Sequence, residues 1–317
     1  MTATSALQPD LSTSLGRLAL DAPVLTASGC AAAGRELDGY FDITKIGAIV
    51  TKSIMLEARS GRATPRMAET PSGMINSIGL QGPGIESFIE HDLSWLRKRG
   101  AKAIVSIAGN NVLEFGRLAR RLRGVEGVAA IEINISCPNV ANRGLVFACN
   151  LGSAQEVVAE VRRHAAPEVP LLAKLSPDVT DIVEIARGVV DAGADGLSMI
   201  NTLLGMVIDP VTLRPKLGGR TGGLSGPAIR PVAVRAVYQV HAAMPQVPIL
   251  GMGGIRSGRD ALEFLAAGAS AVSVGTAIFN DPSAPMRIQN ELADELRSRG
   301  FERLRDVIGI AHRSIEE

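Results

Sequence analysis

The sequence predicts a single (β/α)8 barrel of the TIM type. Three observations predict it: eight short apolar runs, amphipathic helical stretches between them, and two long connections that each follow the C-terminal end of a run. The runs cover 24–27, 48–52, 103–107, 130–135, 171–175, 196–200, 248–251 and 271–275. They are nearly continuous, as in parallel strands covered on both faces, and lack the alternation of a half-solvated sheet. Helical spacing marks 153–164, 182–192, 231–243, 259–267 and 284–299. Gly100-Ala101, Gly193-Ala194 and Gly268-Ala269 each put a helix-terminating glycine just before the next strand. A doubly wound open sheet is the alternative topology. The long connections are 53–85 and 202–231, and in a barrel such loops build the active-site face. Within the first, 66–69 and 73–76 are expected to pair as a small hairpin. The barrel is expected over 16–317, with 1–15 as a flexible N-terminal segment.

Composition narrows the function. Of 317 residues 46% are hydrophobic but only 3% aromatic, and 34 are glycine, which describes a large aliphatic core with many tight turns. A net charge of +1 gives no global field to attract nucleic acid or an anionic membrane. Residues 1–15 lack a basic start followed by an apolar run, and no later stretch suits a bilayer span of about 20 apolar residues, so a cytoplasmic protein is expected. Cys30, Cys137 and Cys149 form no Cys-x-x-Cys pair and the four histidines are scattered, so no metal site is expected. Cys30 and Cys149 read as small core residues.

The last two strands end in glycine-rich turns, Gly251-Met252-Gly253-Gly254 and Gly275-Thr276. These are the phosphate positions of a barrel, where backbone N–H groups and a following helix N-terminus can hold a phosphorylated ligand. Gly47-Ala48-Ile49-Val50-Thr51-Lys52-Ser53 only mimics a P-loop, since it lacks the glycine before Lys52. Polar residues stand at other strand tips: Ser28, Lys52, Ser106, Asn134, Lys174, Asn201 and Thr202. Two lysines beside one cavity imply an anionic ligand, and Asn76, Asn134, Asn139 and Asn201 suit one rich in amide C=O and N–H groups. Cys137, just past the fourth strand, is the candidate reactive group, as nucleophile or as acid/base. No histidine accompanies it in a hydrolase triad.

At these residues the sequence resembles the soluble class 1 dihydroorotate dehydrogenases, over essentially 16–313. The matching segments are Thr26-Ala27-Ser28-Gly29, Thr51-Lys52-Ser53, Asn76-Ser77-Ile78-Gly79-Leu80-Gln81 and Asn134-Ile135-Ser136-Cys137-Pro138-Asn139. They continue with Lys174-Leu175-Ser176-Pro177, Ile200-Asn201-Thr202, Thr221–Pro227, Gly251–Ile255 and Val274-Gly275-Thr276. The resemblance implies FMN as cofactor and oxidation of dihydroorotate to orotate in pyrimidine synthesis. It implies that Cys137 removes the C5 proton while hydride leaves C6 for the flavin, and that Lys174 lies at the flavin N1/O2 edge. Ser28, Lys52, Ser53, Ser106, Asn134, Lys174, Ile200, Gly226, Gly253, Gly254, Gly275 and Thr276 would contact FMN. Lys52, Asn76, Ser77, Ile78, Gly79, Leu80, Asn134, Asn139, Asn201 and Thr202 would hold the substrate.

The subtypes differ in what reoxidises the flavin. The Asn134–Cys137, Thr221–Pro227 and Gly251–Gly254 segments resemble subtype 1B, which pairs with an iron–sulfur/FAD subunit carrying FAD and a [2Fe-2S] cluster and uses NAD. Ile49–Ser53 and Ser106–Gly109 resemble the fumarate-using 1A form, with Ser106 where many 1B proteins have Asn. More loops agree with 1B, which is favoured. A homodimer, extended to a heterotetramer by the electron-transfer subunit, is the implied assembly. The membrane-bound class 2 has a serine base and an N-terminal extension, neither of which is seen here. A dihydropyrimidine dehydrogenase-type pyrimidine reductase and a phosphate-binding barrel like inosine monophosphate dehydrogenase are the other readings.

Overall fold

Eight parallel strands form the barrel predicted from the apolar runs. In the computed structural model, which describes residues 8–136 and 149–313, a short hairpin of β1 (Thr13–Leu15) and β2 (Leu18–Leu20) precedes the first barrel strand, β3 (Val24–Thr26). The hairpin begins before residue 16, where the barrel was expected to start, and Leu15 in it is fully buried.

β4 (Ile49–Val50) follows, then β5 (Met67–Thr70) and β6 (Gly73–Asn76), a helical stretch beginning with α1 (Ile85–Ser87) and ending with α2 (Ser94–Arg99), β7 (Ala103–Ile107) and α3 (Val112–Leu122). β8 (Val128–Asn134), α4 (Leu151–His164), β9 (Leu171–Lys174), α5 (Ile182–Asp191), β10 (Gly196–Met199), β11 (Leu203–Met206) and β12 (Thr221–Ser225) come next. The chain ends with α6 (Arg230–Ala243), β13 (Ile249–Met252), α7 (Gly258–Ala266), β14 (Ala271–Val274) and α8 (Ala284–Ser298). The crossover from β3 to β4 is the exception to strand–helix alternation, being built of two 3-10 turns at Leu37–Gly39 and Ile43–Lys45.

The parallel sheet runs β3-β14-β13-β10-β9-β8-β7-β4. It closes where Gly47 N donates to Val24 O at 2.8 Å and Thr26 N donates to Ala48 O at 3.3 Å. Glycine is required at 47, because a Cβ there would lie 2.3 Å from the Ala22 carbonyl oxygen. The P-loop mimic is therefore a barrel-closing contact.

The two long connections pair with each other. β5–β6 from the first and β11–β12 from the second form an antiparallel sheet of order β11-β12-β6-β5. The β5–β6 hairpin lies where the sequence places it. The β11–β12 pair was expected only as loop, because Gly222 and Gly223 depress strand propensity. The glycines serve close approach: a Cβ at Gly222 would meet Asn76 O at 2.5 Å, and one at Gly223 would meet Thr202 Oγ1 at 2.0 Å.

The core has two parts. The larger lies between strands and helices, with Phe88, Phe115 and Phe264 among its fully buried side chains. A separate cluster joins Leu25, Val50, Ile104, Ala130, Leu172, Leu250 and Ala271 of the strands to Leu15, Leu18 and Leu20 of the β1–β2 hairpin. The hairpin meets the starts of strands: Thr13 Oγ1 donates to Ser270 O at 2.7 Å, and Gly16 lies against Asp195 and Pro248. It thus plugs the N-terminal end of the barrel, and each buried leucine contributes about 1.5–3 kcal/mol. Among the described residues, no helix is long and apolar enough to cross a membrane.

Candidate active site

Inward-facing positions repeat every second residue along a strand, so one strand can be apolar at one end and polar at the other. β8 does this with Ala130, Glu132 and Asn134, and β9 with Leu172 and Lys174. The register aligns Ser106 with Glu132 on β7 and β8, and Asn134 with Lys174 on β8 and β9. The result is a connected polar layer near the C-terminal ends of the strands. Asn134 Nδ2 donates to Ser53 Oγ at 2.8 Å, and the Ser53 hydroxyl meets those of Ser28 at 3.2 Å and Ser106 at 2.9 Å. Ser106 Oγ donates to Glu132 Oε1 at 2.9 Å, and Lys174 Nζ stands 3.6 Å from the same oxygen. Glu132 is 0% and Lys174 4% exposed.

Above this layer, under the four-stranded sheet, lies a cavity of about 1610 Å³. Ser28, Lys52, Ser53, Asn134, Lys174, Ile200, Asn201 and Thr202 line it from the strand tips, and Asn76, Ser77, Ile78, Gly79 and Leu80 from the segment after β6. Gly226, Gly253, Gly254, Gly275 and Thr276 form another part of the wall. Lys52 N donates to Ala32 O at 2.9 Å, fixing the tip of β4 against the loop after β3. Asn76 Nδ2 donates to Gly223 O at 3.4 Å, which ties the β6 end to β12.

Three turns interlock at the glycine wall. Gly254 has φ 77°, and a Cβ there would sit 2.7 Å from Gly226 O; a Cβ at Gly226 would in turn meet Gly73 Cα at 2.7 Å. Thr276 Oγ1 donates to Ser225 Oγ at 2.8 Å, joining the β14 turn to β12. The helix after β13 does not supply the phosphate dipole expected from the sequence. Ser257 and Asp260 form a capping box, Asp260 also accepts from Arg256 N, and Glu291 accepts from Gly258 N. Its first N–H groups are thereby satisfied by side chains, which leaves the glycine backbones as the cradle.

Two further expectations need correction. Ser106 does not line the cavity: it is fully buried beneath it and reaches it through Ser53 on one side and through Glu132 and Lys174 on the other. Cys149 is not a core residue, and Cys30 packs against the edge of the larger core without being enclosed by it. Both line the cavity, Cys30 half-buried and Cys149 exposed, with Cys149 Sγ donating to Asp178 O at 3.4 Å. Burial pushes the Cys30 thiol above its ordinary value against the pull of Lys174 and Lys52, and loss of water raises the Cys149 thiol as well. Neither is a ready thiolate at neutral pH. Cys137 and Asn139 lie outside the described residues. No cluster of potential metal ligands occurs among the described residues.

The sequence of the dihydroorotate dehydrogenase family matches residues 10–296. The chain belongs to the dihydroorotate dehydrogenase family. It is 49% identical over 302 residues to a protein of Geobacter sp. (strain M21), covering 95% of this chain and 98% of that one. It is 51% identical over 302 residues to one of Geotalea daltonii, with the same coverage, and 49% identical over 303 residues to one of Desulforamulus reducens, covering 96% and 99%. All three are named dihydroorotate dehydrogenase B (NAD(+)), catalytic subunit. That agrees with the 1B subtype favoured from the loops over 1A.

The residues present fit FMN, the cofactor of this family. Single-ligand pockets hold about 300–1,000 Å³, so a cavity of about 1610 Å³ has room for cofactor and substrate together. The glycine cradle suits its phosphate. Sequence reasoning missed Glu132, although a charged residue two places before Asn134 in an apolar strand is a legible signal of an inward polar position.

Proposed function

We propose that this chain oxidises dihydroorotate to orotate in pyrimidine biosynthesis, as the catalytic subunit of an NAD(+)-linked enzyme. The observation that carries the reading is convergence: two lysines and three asparagines from separate strands and loops face one cavity whose remaining wall is the glycine cradle. When bound there, FMN would supply the hydride acceptor. Gly226, Gly253, Gly254, Gly275 and Thr276 would hold its phosphate, and Ser28, Ser53 and Asn134 would fix its polar edge. Lys174 would present positive charge beside the ring, in a site dry enough for that charge to count. Lys52, with Asn76, Asn139, Asn201 and Thr202, would bind the substrate carboxylate and amide groups and so orient it. The segment from Ser77 to Leu80 would close over the same ligand. Cys137 would accept the proton from C5 as hydride leaves C6, and the cysteine rather than a histidine would set the pH dependence.

Electrons would leave through a partner subunit carrying FAD and a [2Fe-2S] cluster, in a heterotetramer built on a homodimer of this chain in the cytoplasm. The name "catalytic subunit" on the relatives supports a partner of this kind. The test is anaerobic mixing of the FMN-loaded protein with dihydroorotate. The flavin is expected to bleach with stoichiometric orotate; turnover of uracil or thymine with a reductant, and none of dihydroorotate, would contradict the assignment.

A further inference from the structure

We infer that Glu132 is a positioning residue for Lys174: its carboxylate aims the ammonium and offsets part of the positive charge that Lys174 presents to the flavin site. The inference rests on the flavin reading above and concerns a residue that reading does not use.

Glu132 lies one inward position below Asn134 on β8, so its carboxylate sits beneath the cavity floor, and it does not line the cavity. Oε1 is shared between the Ser106 hydroxyl at 2.9 Å and Lys174 Nζ at 3.6 Å. Oε2 is buried with no hydrogen-bond partner among the described residues. The carboxylate is thus only partly compensated by hydrogen bonds, and the ammonium is its nearest opposite charge. With both groups shut off from water, their interaction is weakly screened.

Stability alone does not explain the pair. Immediately below it, the same barrel interior is filled by Ala130 and Leu172, and apolar residues of similar volume commonly replace a buried ion pair without loss of stability. What an apolar pair cannot do is place a tempered cation at the cavity floor. Reduced flavin carries more negative charge than oxidised flavin, so a cation beside it favours the reduced form. Glu132 weakens that preference and Ser106, by sharing the carboxylate's charge, moderates Glu132.

This chain gives opposite signs for two substitutions, which a merely structural role would not. The measurement is the midpoint potential of bound FMN, with FMN affinity as control, in the full-length protein and in E132Q, E132D and S106A. In E132Q the ammonium loses its counter-charge, and the oxidised–reduced equilibrium is expected to move about tenfold toward reduced flavin, a rise of ~30 mV for a two-electron couple. In S106A the carboxylate acts on Lys174 undiluted, and a smaller shift toward oxidised flavin is expected. E132D keeps the charge and should restore the wild-type value within about twofold. An E132Q potential that is unchanged or lower overturns the inference; should E132Q fail to fold, an unchanged or raised potential in S106A overturns it and a lowered one supports it. Wild-type protein that takes up no FMN removes the flavin reading and this inference together, whereas flavin-loaded wild type beside an unshifted E132Q removes this inference alone.

Discussion

The two ends of the barrel interior are built from the same strands and do opposite things. At the N-terminal end Leu25, Val50, Ile104, Ala130, Leu172 and Leu250 pack against the leucines of the β1–β2 hairpin. A few residues further along those strands stand Ser53, Ser106, Glu132, Asn134 and Lys174, joined by hydrogen bonds and an ion pair. One end exchanges water for apolar contact, and the other keeps charge in a dry setting where it acts strongly on a ligand. The difference teaches that stability and chemistry are separated along each strand by a single pleat.

That separation can be broken at either end. The largest effect is expected from Cys137→Ser, which should slow flavin reduction by dihydroorotate about 10²–10⁴-fold at neutral pH. The rate should recover at high pH because a hydroxyl is a weaker acid, and unfolding should be unchanged. Stopped-flow reduction across pH checks this, and near wild-type rates throughout would remove Cys137 from the role.

Leu172→Ala, two residues from Lys174, should cost about 2–5 kcal/mol of stability in urea unfolding and leave the reduction rate of the folded protein as it was. A rate that falls with stability would show that the two ends are not separable. Gly254→Ala introduces a Cβ 2.7 Å from Gly226 O at a positive φ, a strain of about 1–3 kcal/mol. FMN titration of the apoprotein should then show affinity reduced by roughly tenfold. The smallest effect concerns Cys30. Since burial raises its thiol above the ordinary value, less thiolate is present at pH 7; alkylation followed by mass spectrometry should be slower than for free cysteine, accelerate only above the usual thiol range, and be blocked by FMN.

The eight strands were legible because burial on both faces leaves continuous apolar runs such as 103–107 and 171–175. The strand-tip residues Lys52, Asn134, Lys174 and Asn201 were legible because polarity at the end of such a run needs a reason. What escaped was set by tertiary contact. β12 reads as a glycine loop until Asn76 and Thr202 are seen pressed against Gly222 and Gly223. The capped start of α7 looks in sequence like an open anion site, and only the geometry shows Asp260 and Glu291 occupying its N–H groups. Cys30 reads as core because nothing in its sequence neighbourhood shows that it lines the cavity, where the turn at Gly275 also lies.

The central claim is that the polar end, between the glycine cradle and the asparagines, holds cofactor and substrate together. Crystals of the protein soaked with FMN and orotate test it most directly. The expected result is phosphate density at Gly253, Gly254 and Gly275, with ring density beside Lys174 and orotate against Lys52, Asn76 and Asn201. Ligand density elsewhere, or orotate bound away from those three side chains, would contradict it.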